Sequence, residues 1–194
     1  ISGLRFDIND KEQIAEATKD LDDLDMLILN AGNCEYIDDA LHFDSELFER
    51  VISTNLISLG YCLSVLLKKI KPGGRLALMG SSASYLPFPR AEAYGSSKAA
   101  VAYLAKTLAI DLLPEKISVS LICPGFVKTP LTDKNDFAMP MLITAEQAAD
   151  YIVTGLKKGK KEIHFPLKFT LLLKLFAYLP SVIWEKIAIR MSKK

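Results

Sequence analysis

The stretch DMLILNAG, residues 25–32, decides how the rest of the chain is read. Its centre, MLIL, is an unbroken apolar run between Asp25 and Asn30-Ala31-Gly32. A run without polar alternation reads as a buried strand, and such strands belong to parallel sheets covered by helices on both faces. Asn-Ala-Gly taken alone is an ordinary turn signal. Its meaning depends on what ends the other strands.

Upstream, Leu4–Phe6 reads as a short strand and Asp10–Lys19 as a helix. Downstream, residues 33–43 are polar and irregular, and Asp44 caps a long helix running to Ile70, closed by the turn KPGG. Arg75–Met79 is the next strand. A loop with Pro87 and Pro89 leads to a helix over Tyr94–Leu113, and Ile117–Ile122 is another strand. Thr144–Lys157 is helical, with Gln147 at capping-box distance from Thr144, and Glu162–His164 is a last short strand. This alternation predicts an α/β fold, a doubly wound, Rossmann-like parallel sheet.

Ligands of such sheets bind beyond the carboxyl ends of the strands. Those ends carry Asp7, then Asn30-Ala31-Gly32, then Gly80, Ser81 and Ser82, then Pro124 and Gly125 followed by FVKTP. All are small or polar, and Ala and Gly let a flat ligand approach the backbone. The stretch AYGSSKAA, residues 93–100, adds a pair four residues apart, so Tyr94 and Lys98 share one helix face. By itself that pair fits a solvated helix as well as a functional site.

In combination, Asn30-Ala31-Gly32, Ser81, Tyr94-x-x-x-Lys98 and Pro124-Gly125, in this order and at these intervals, resemble the short-chain dehydrogenase/reductase family over about residues 3–165. Ser81 lies thirteen residues before Tyr94, the family's interval, whereas Ser82 reads as a loop hydroxyl. Asn55, in STNLIS, matches the family's fourth catalytic position. The resemblance implies interconversion of a hydroxyl and a carbonyl by hydride transfer, with NAD or NADP as cofactor. It implies catalytic roles for Asn55, Ser81, Tyr94 and Lys98. Ser81 would donate a hydrogen bond to the substrate oxygen, Asn55 would anchor a relay water, and Lys98 would hold the nicotinamide ribose. Cofactor contacts are implied for Asp7 and Ile8 beside the adenine, for Asn30, Ala31, Gly32, Tyr94 and Lys98, and for Pro124, Gly125, Val127 and Thr129.

Tyrosine, with an ordinary pKa near 10, is a poor proton exchanger at neutral pH. The Lys98 ammonium is expected to favour the phenolate and lower that value. Gly95, Ser96 and Ser97 are expected to leave clearance for the cofactor. The family opens with a strand, a glycine-rich phosphate-binding turn and a helix, yet no GxxxGxG or GxGxxG occurs in this chain. The expectation is an N-terminally truncated sheet, a piece of a longer protein. The alternative is a catalytically silent binding or scaffold protein.

The 194 residues are 50% hydrophobic, enough for one core, with a Rossmann-like unit over 1–165 and a helical appendage over 166–194. Cys34, Cys62 and Cys123 are scattered without a CxxC, which fits a reducing, cytoplasmic setting. His42 and His164 are too far apart in sequence to suggest a metal cage. The absence of a GxSxG elbow argues against a nucleophilic hydrolase.

Net charge is +1, but residues 157–194 carry +8 and the remainder −7. The tail reads as two apolar helices, Phe169–Tyr178 and Ser181–Met191, broken at Pro180. Neither reaches the roughly 20 residues needed to span a bilayer. Three readings stand open: a lid over the substrate pocket, an element on anionic lipid with Trp184 at the boundary, or a partner-binding helix. The first two suggest a lipophilic carbonyl or alcohol substrate, and the second a place at the membrane surface. Nucleic acid is not an expected partner, because the basic tail is interleaved with aliphatic rather than stacking residues. The apolar helices 44–70 and 94–113 resemble those that pair subunits in relatives, implying a homodimer or homotetramer.

Overall fold

The computed structural model of the protein describes residues 3–192, so residues 1–2 and 193–194, at the ends of the two expected units, lie outside the described residues. Strands β1 (Leu24–Leu29), β2 (Ile70–Met79), β3 (Ser118–Pro124) and β4 (Glu162–Phe165) form one sheet in chain order. Every neighbouring pair is parallel, with Leu29 opposite Leu78, Met79 opposite Ile122 and Pro124 opposite Phe165. All four carboxyl ends therefore open on one rim.

The helices begin where capping chemistry places them. α1 (Lys11–Thr18) starts at Asp10, whose carboxylate accepts from the Gln13 N–H, and α2 (Ser45–Ile52) starts at Asp44, which accepts from Leu47 N–H. α3 (Ser58–Leu66) and α4 (Glu92–Asp111) follow, then α5 (Ala145–Lys157) with a complete Thr144–Gln147 capping box. α6 (Leu167–Ala177) and α7 (Ser181–Ser192) end the chain. One sheet face buries Leu27, Leu76, Leu78, Val119 and Leu121 against Ile14, Leu59, Leu66 and Val101 of α1, α3 and α4. The other buries Ala77, Ile122, Ile163 and Phe165 against Ala148 and Leu156 of α5. Each large aliphatic side chain so buried contributes roughly 1.5–3 kcal/mol.

Four local expectations are corrected. β1 is not covered on both faces: Leu27 is buried, but Met26 and Ile28 are 41% and 45% exposed. It is the outer strand, and α5 covers only the β3–β4 side of the second face. Leu4–Phe6 forms no strand, because no strand of the described sheet lies beside it to complete a ladder; Phe6 packs part-buried on the first core instead. The long helix 44–70 is interrupted by a π-turn over Ser53–Ile57 and a 3₁₀ turn over Leu67–Lys69. KPGG is not a separate turn but lies within β2, where the pairing slips between Leu24–Ile70 and Met26–Arg75.

Candidate active site

At the rim, Asn30, Ala31 and Gly32 are exposed at the end of β1. Buried Ser81 follows β2 and caps the 3₁₀ turn Ser82–Ser84, its hydroxyl accepting from the Ala83 N–H at 3.1 Å. Tyr94 and Lys98 project from the first turns of α4. The Lys98 side chain, 4% exposed, donates from Nζ to the Met79 carbonyl at 3.0 Å and lies 5.8 Å from the centre of the Tyr94 ring. A Cβ placed on Gly32 would sit 3.0 Å from Asn55 Oδ1 and 3.3 Å from Lys98 Nζ, so the turn after β1 approaches these two side chains closely and a larger residue would make them shift.

Asn55 occupies the π-turn, where the Ser58 N–H reaches back to the Ser53 carbonyl. Its amide oxygen accepts from Asn33 N–H at 2.8 Å, and its Nδ2 donates to the Asn33 carbonyl at 2.9 Å and to Ser97 Oγ at 3.0 Å. Ser97 Oγ in turn donates to the Tyr94 carbonyl at 2.7 Å. The Asn55 side chain thus ties the loop after β1 to the helix carrying Tyr94 and Lys98.

This corrects the clearance expected of Ser97. Ser97 is fully buried as the polar partner of Asn55, Ser96 bonds back to its own helix, and a Cβ at Gly95 would meet only Ala91 at an ordinary 3.8 Å. Ser97 is the site residue that sequence reasoning missed. The available signal was its place on the buried stripe Ala93–Ser97–Val101, where a hydroxyl requires a partner.

The electrostatics also differ from expectation. Enclosure of the phenol pushes Tyr94 up to about 12, the Ser81 hydroxyl acting in the opposite direction, although part of the residue's surface stays exposed. Burial brings Lys98 down to about 8. The ammonium is not what governs the phenol: it is hydrogen-bonded to a carbonyl, stands over the ring and is itself disfavoured by burial. Two thiols share this environment, Cys34 and Cys123, and burial pushes both up, Cys123 to about 11.

Of the remaining candidates, Asp7 is exposed and its carboxylate accepts from the Asn9 N–H at 2.8 Å, with Ile8 half-buried beside it. A cleft of about 510 Å³ separates Asn9 from Asn33 and from Glu46, Glu49 and Arg50 of α2. A second cleft, about 530 Å³ between α3 and residues 112–117, contains no candidate residue. At the end of β3, the half-buried Pro124 leads into Gly125, whose N–H donates to the Phe165 carbonyl at 2.7 Å; a Cβ there would lie 2.8 Å from the Phe169 ring. Val127 bridges to Ile143, and the Thr129 N–H donates to Thr132 Oγ1 at 3.0 Å.

Beside the rim stands an aromatic wall. Tyr36 meets Phe137 edge-on at 5.5 Å, Phe137 meets Phe126 at 6.1 Å, and Phe126 meets Phe169 at 5.5 Å. Arg90 fastens its outer side by pairing with Asp38 at 2.6 Å and Asp136 at 2.8 Å, which joins the loops after β1 and β3. Trp184, expected at a lipid boundary, is 6% exposed; its Nε1 donates to the Pro87 carbonyl at 2.6 Å and its ring packs edge-on to Phe88 at 5.3 Å. The loop over Leu86–Phe88 offers the indole a closed apolar slot with an acceptor, so Trp184 pins α7 to the domain. α6 is held by Lys174, which pairs with Glu162 of β4 at 2.9 Å.

Comparison with known proteins adds sequence and fold relationships. The model of the short chain dehydrogenase family matches residues 1–139. An uncharacterized oxidoreductase of Myxococcus xanthus is 27% identical over 98% of this chain and 78% of its own length. A 3beta-hydroxysteroid dehydrogenase of Mediterraneibacter gnavus is 30% identical over 82% of this chain, which spans 61% of that relative. Among solved structures, a short chain dehydrogenase from Burkholderia cenocepacia in complex with NADP superposes with a TM-score of 0.83 at 20% identity, over 94% of this chain and 76% of the other. One from Burkholderia phymatum in complex with NAD gives 0.77 at 19% identity, over 90% and 74%.

Proposed function

Because the chain belongs to the short-chain dehydrogenase family, we propose that it interconverts a hydroxyl and a carbonyl group with NAD or NADP, acting on a lipophilic substrate. The observation that carries this reading is the joining of Tyr94, Ser81, Lys98 and Asn55 at a rim that the Gly32 backbone approaches closely. The exposed Asn30–Gly32 turn and the Lys98 ammonium fit the nicotinamide and ribose end of a dinucleotide, while the sequence contains no glycine-rich turn for its pyrophosphate. When bound, the dinucleotide supplies or accepts the hydride.

The protein's own groups handle the proton. With its value near 12, Tyr94 stands protonated throughout the neutral range. Its hydroxyl is therefore an acid in waiting, able to protonate a substrate oxygen as that oxygen gains alkoxide character, since an alkoxide is a stronger base than a phenolate. Ser81 Oγ already accepts from the Ala83 N–H, which leaves its own proton to donate to the same oxygen. Lys98 keeps a positive charge near the phenolate that results. Asn55 and Ser97 act as positioning residues, holding the loop after β1 against α4. The aromatic wall of Tyr36, Phe126, Phe137 and Phe169 supports an apolar substrate body.

The test is Tyr94→Phe in the full-length protein with NAD and NADP supplied separately. Turnover falls by about 10²–10⁴-fold with cofactor affinity retained; unchanged turnover refutes the role of Tyr94. A silent binding protein is the second reading, and it predicts no turnover in either protein.

Tyr103 and Ile110 of α4 and Leu113 just beyond its end are 72–76% exposed, which supports a homodimer or homotetramer formed through this helix. Light scattering that finds a monomer at all concentrations overturns that assignment. The three free thiols agree with a cytoplasmic setting.

A further inference from the structure

We infer that the outward face of α6 and α7 is a docking surface for an anionic lipid bilayer. α6 is rich in leucine on two opposite sides. Its inward side buries Phe169 and Leu173, while Leu167, Leu171, Leu172 and Leu175 are each 47–58% exposed on the other. At 100° per residue these four leucines fall on one arc of roughly 140°, with Lys168 inside it. A helix with apolar side chains on two opposite sides can pack between two apolar media, and the described residues cover only one side of this one. α7 continues the face: Trp184 turns inward, and Val182, Lys186 and Arg190 turn out.

The surface is presented by a folded element, since Lys174–Glu162 and Trp184–Pro87 hold both helices to the domain. With 11 and 12 residues, the helices are too short to cross a bilayer of about 20 residues and would lie along it. Charge selects the occupant. The exposed cations Lys168, Lys186 and Arg190 face outward among the apolar side chains, against one exposed anion of these two helices, Glu185. A second copy docked face to face about a two-fold axis would bring those cations together, whereas an anionic leaflet attracts them and accepts the leucines beneath its headgroups.

The experiment uses the full-length protein sedimented with vesicles of phosphatidylglycerol and phosphatidylcholine, or of phosphatidylcholine alone. It is expected in the pellet with the anionic vesicles and in the supernatant with the neutral ones, the bound fraction falling as salt is raised. Leu171→Glu/Leu175→Glu should weaken partitioning more than about tenfold. Lys168→Gln/Lys186→Gln/Arg190→Gln should weaken it by about fivefold per charge removed. Thermal melts of both variants that match the parent show that folding is intact, and the Gln variant keeps the test valid if the Glu variant does not fold. No sedimentation with anionic vesicles overturns the inference, as does equal sedimentation of parent and folded variants. Loss of self-association on light scattering in the Glu variant, without any change in vesicle binding, assigns the face to a second copy instead.

Discussion

Replacing Lys98 by methionine should change how stability depends on pH, by an amount the structure fixes. Burial lowers Lys98 from 10.5 to about 8, which corresponds to roughly 3 kcal/mol held against the folded state while the ammonium stays charged. Because the folded value lies below the unfolded one, this cost is fully present below pH 8, where both states are protonated. It is relieved between pH 8 and 10.5, where the unfolded chain keeps a proton that the folded chain has lost. Methionine fills a similar volume and does not titrate. It also abandons the Met79 carbonyl, at a cost of about 1–3 kcal/mol that does not vary with pH.

The absolute difference between the two proteins at pH 7 therefore mixes two effects, but its change with pH isolates one. Urea unfolding of parent and Lys98→Met at matched pH values from 7 to 10.5 should show the parent gaining about 3 kcal/mol on the variant. Titrations remote from Lys98 cancel in the comparison; Cys34 and Cys123, which interact with it, are both pushed up by burial, Cys123 to about 11, so it bears on the upper end of the range. A difference that stays flat within about 0.5 kcal/mol would refute the idea that Lys98 is held in a dry, ion-unfriendly setting.

Two further substitutions probe the geometry. Gly32→Ala puts a methyl group 3.0 Å from Asn55 Oδ1 and 3.3 Å from Lys98 Nζ, so cofactor affinity measured by fluorescence titration should fall at least about tenfold while the melting curve moves little; undiminished affinity removes Gly32 from the site. Ser97→Ala takes one acceptor from Asn55 and should cost about 1 kcal/mol in urea unfolding, with kcat lowered and KM nearly unchanged; a KM effect alone would mean that Ser97 does not position the catalytic pair.

The parts of the fold legible in the sequence are those set by local chemistry. Asp10, Asp44 and Thr144 cap helices because their side chains reach N–H groups within three residues, and no distant partner is needed to predict it. The alternation of apolar runs with helical patterns sufficed to predict a parallel sheet, and the rim followed from the strand ends. What escaped depended on distant neighbours. Met26 and Ile28 look as buried as Leu27 in MLIL; only the sheet order, with β1 outermost, distinguishes them. The π-turn at Asn55 leaves no mark in STNLIS, and Ser97 looks like filler until the buried stripe it shares with Ala93 and Val101 is seen. The electrostatics of Tyr94 were misjudged for the same reason: spacing brought an ammonium near the phenol, but enclosure, which spacing does not report, outweighs it.

The appendage shows how an outlying segment becomes part of a site. Phe169 of α6 lies so close to Gly125 that a methyl there would overlap its ring, and the same ring packs on Phe126 of the aromatic wall. One helix thus backs the turn after β3 with its inner side and presents four leucines with its outer side. Thr170, one residue on, donates its hydroxyl proton to the Pro166 carbonyl and pairs with His164 Nδ1 at 2.7 Å as acceptor, fixing the helix to β4 at the level of the rim. Removing residues 166–194 would therefore strip a wall from the substrate side as well as the outward leucine face. Outward substitutions such as Leu171→Glu change the outer surface alone, and for that reason they, rather than a truncation, separate lipid docking from catalysis.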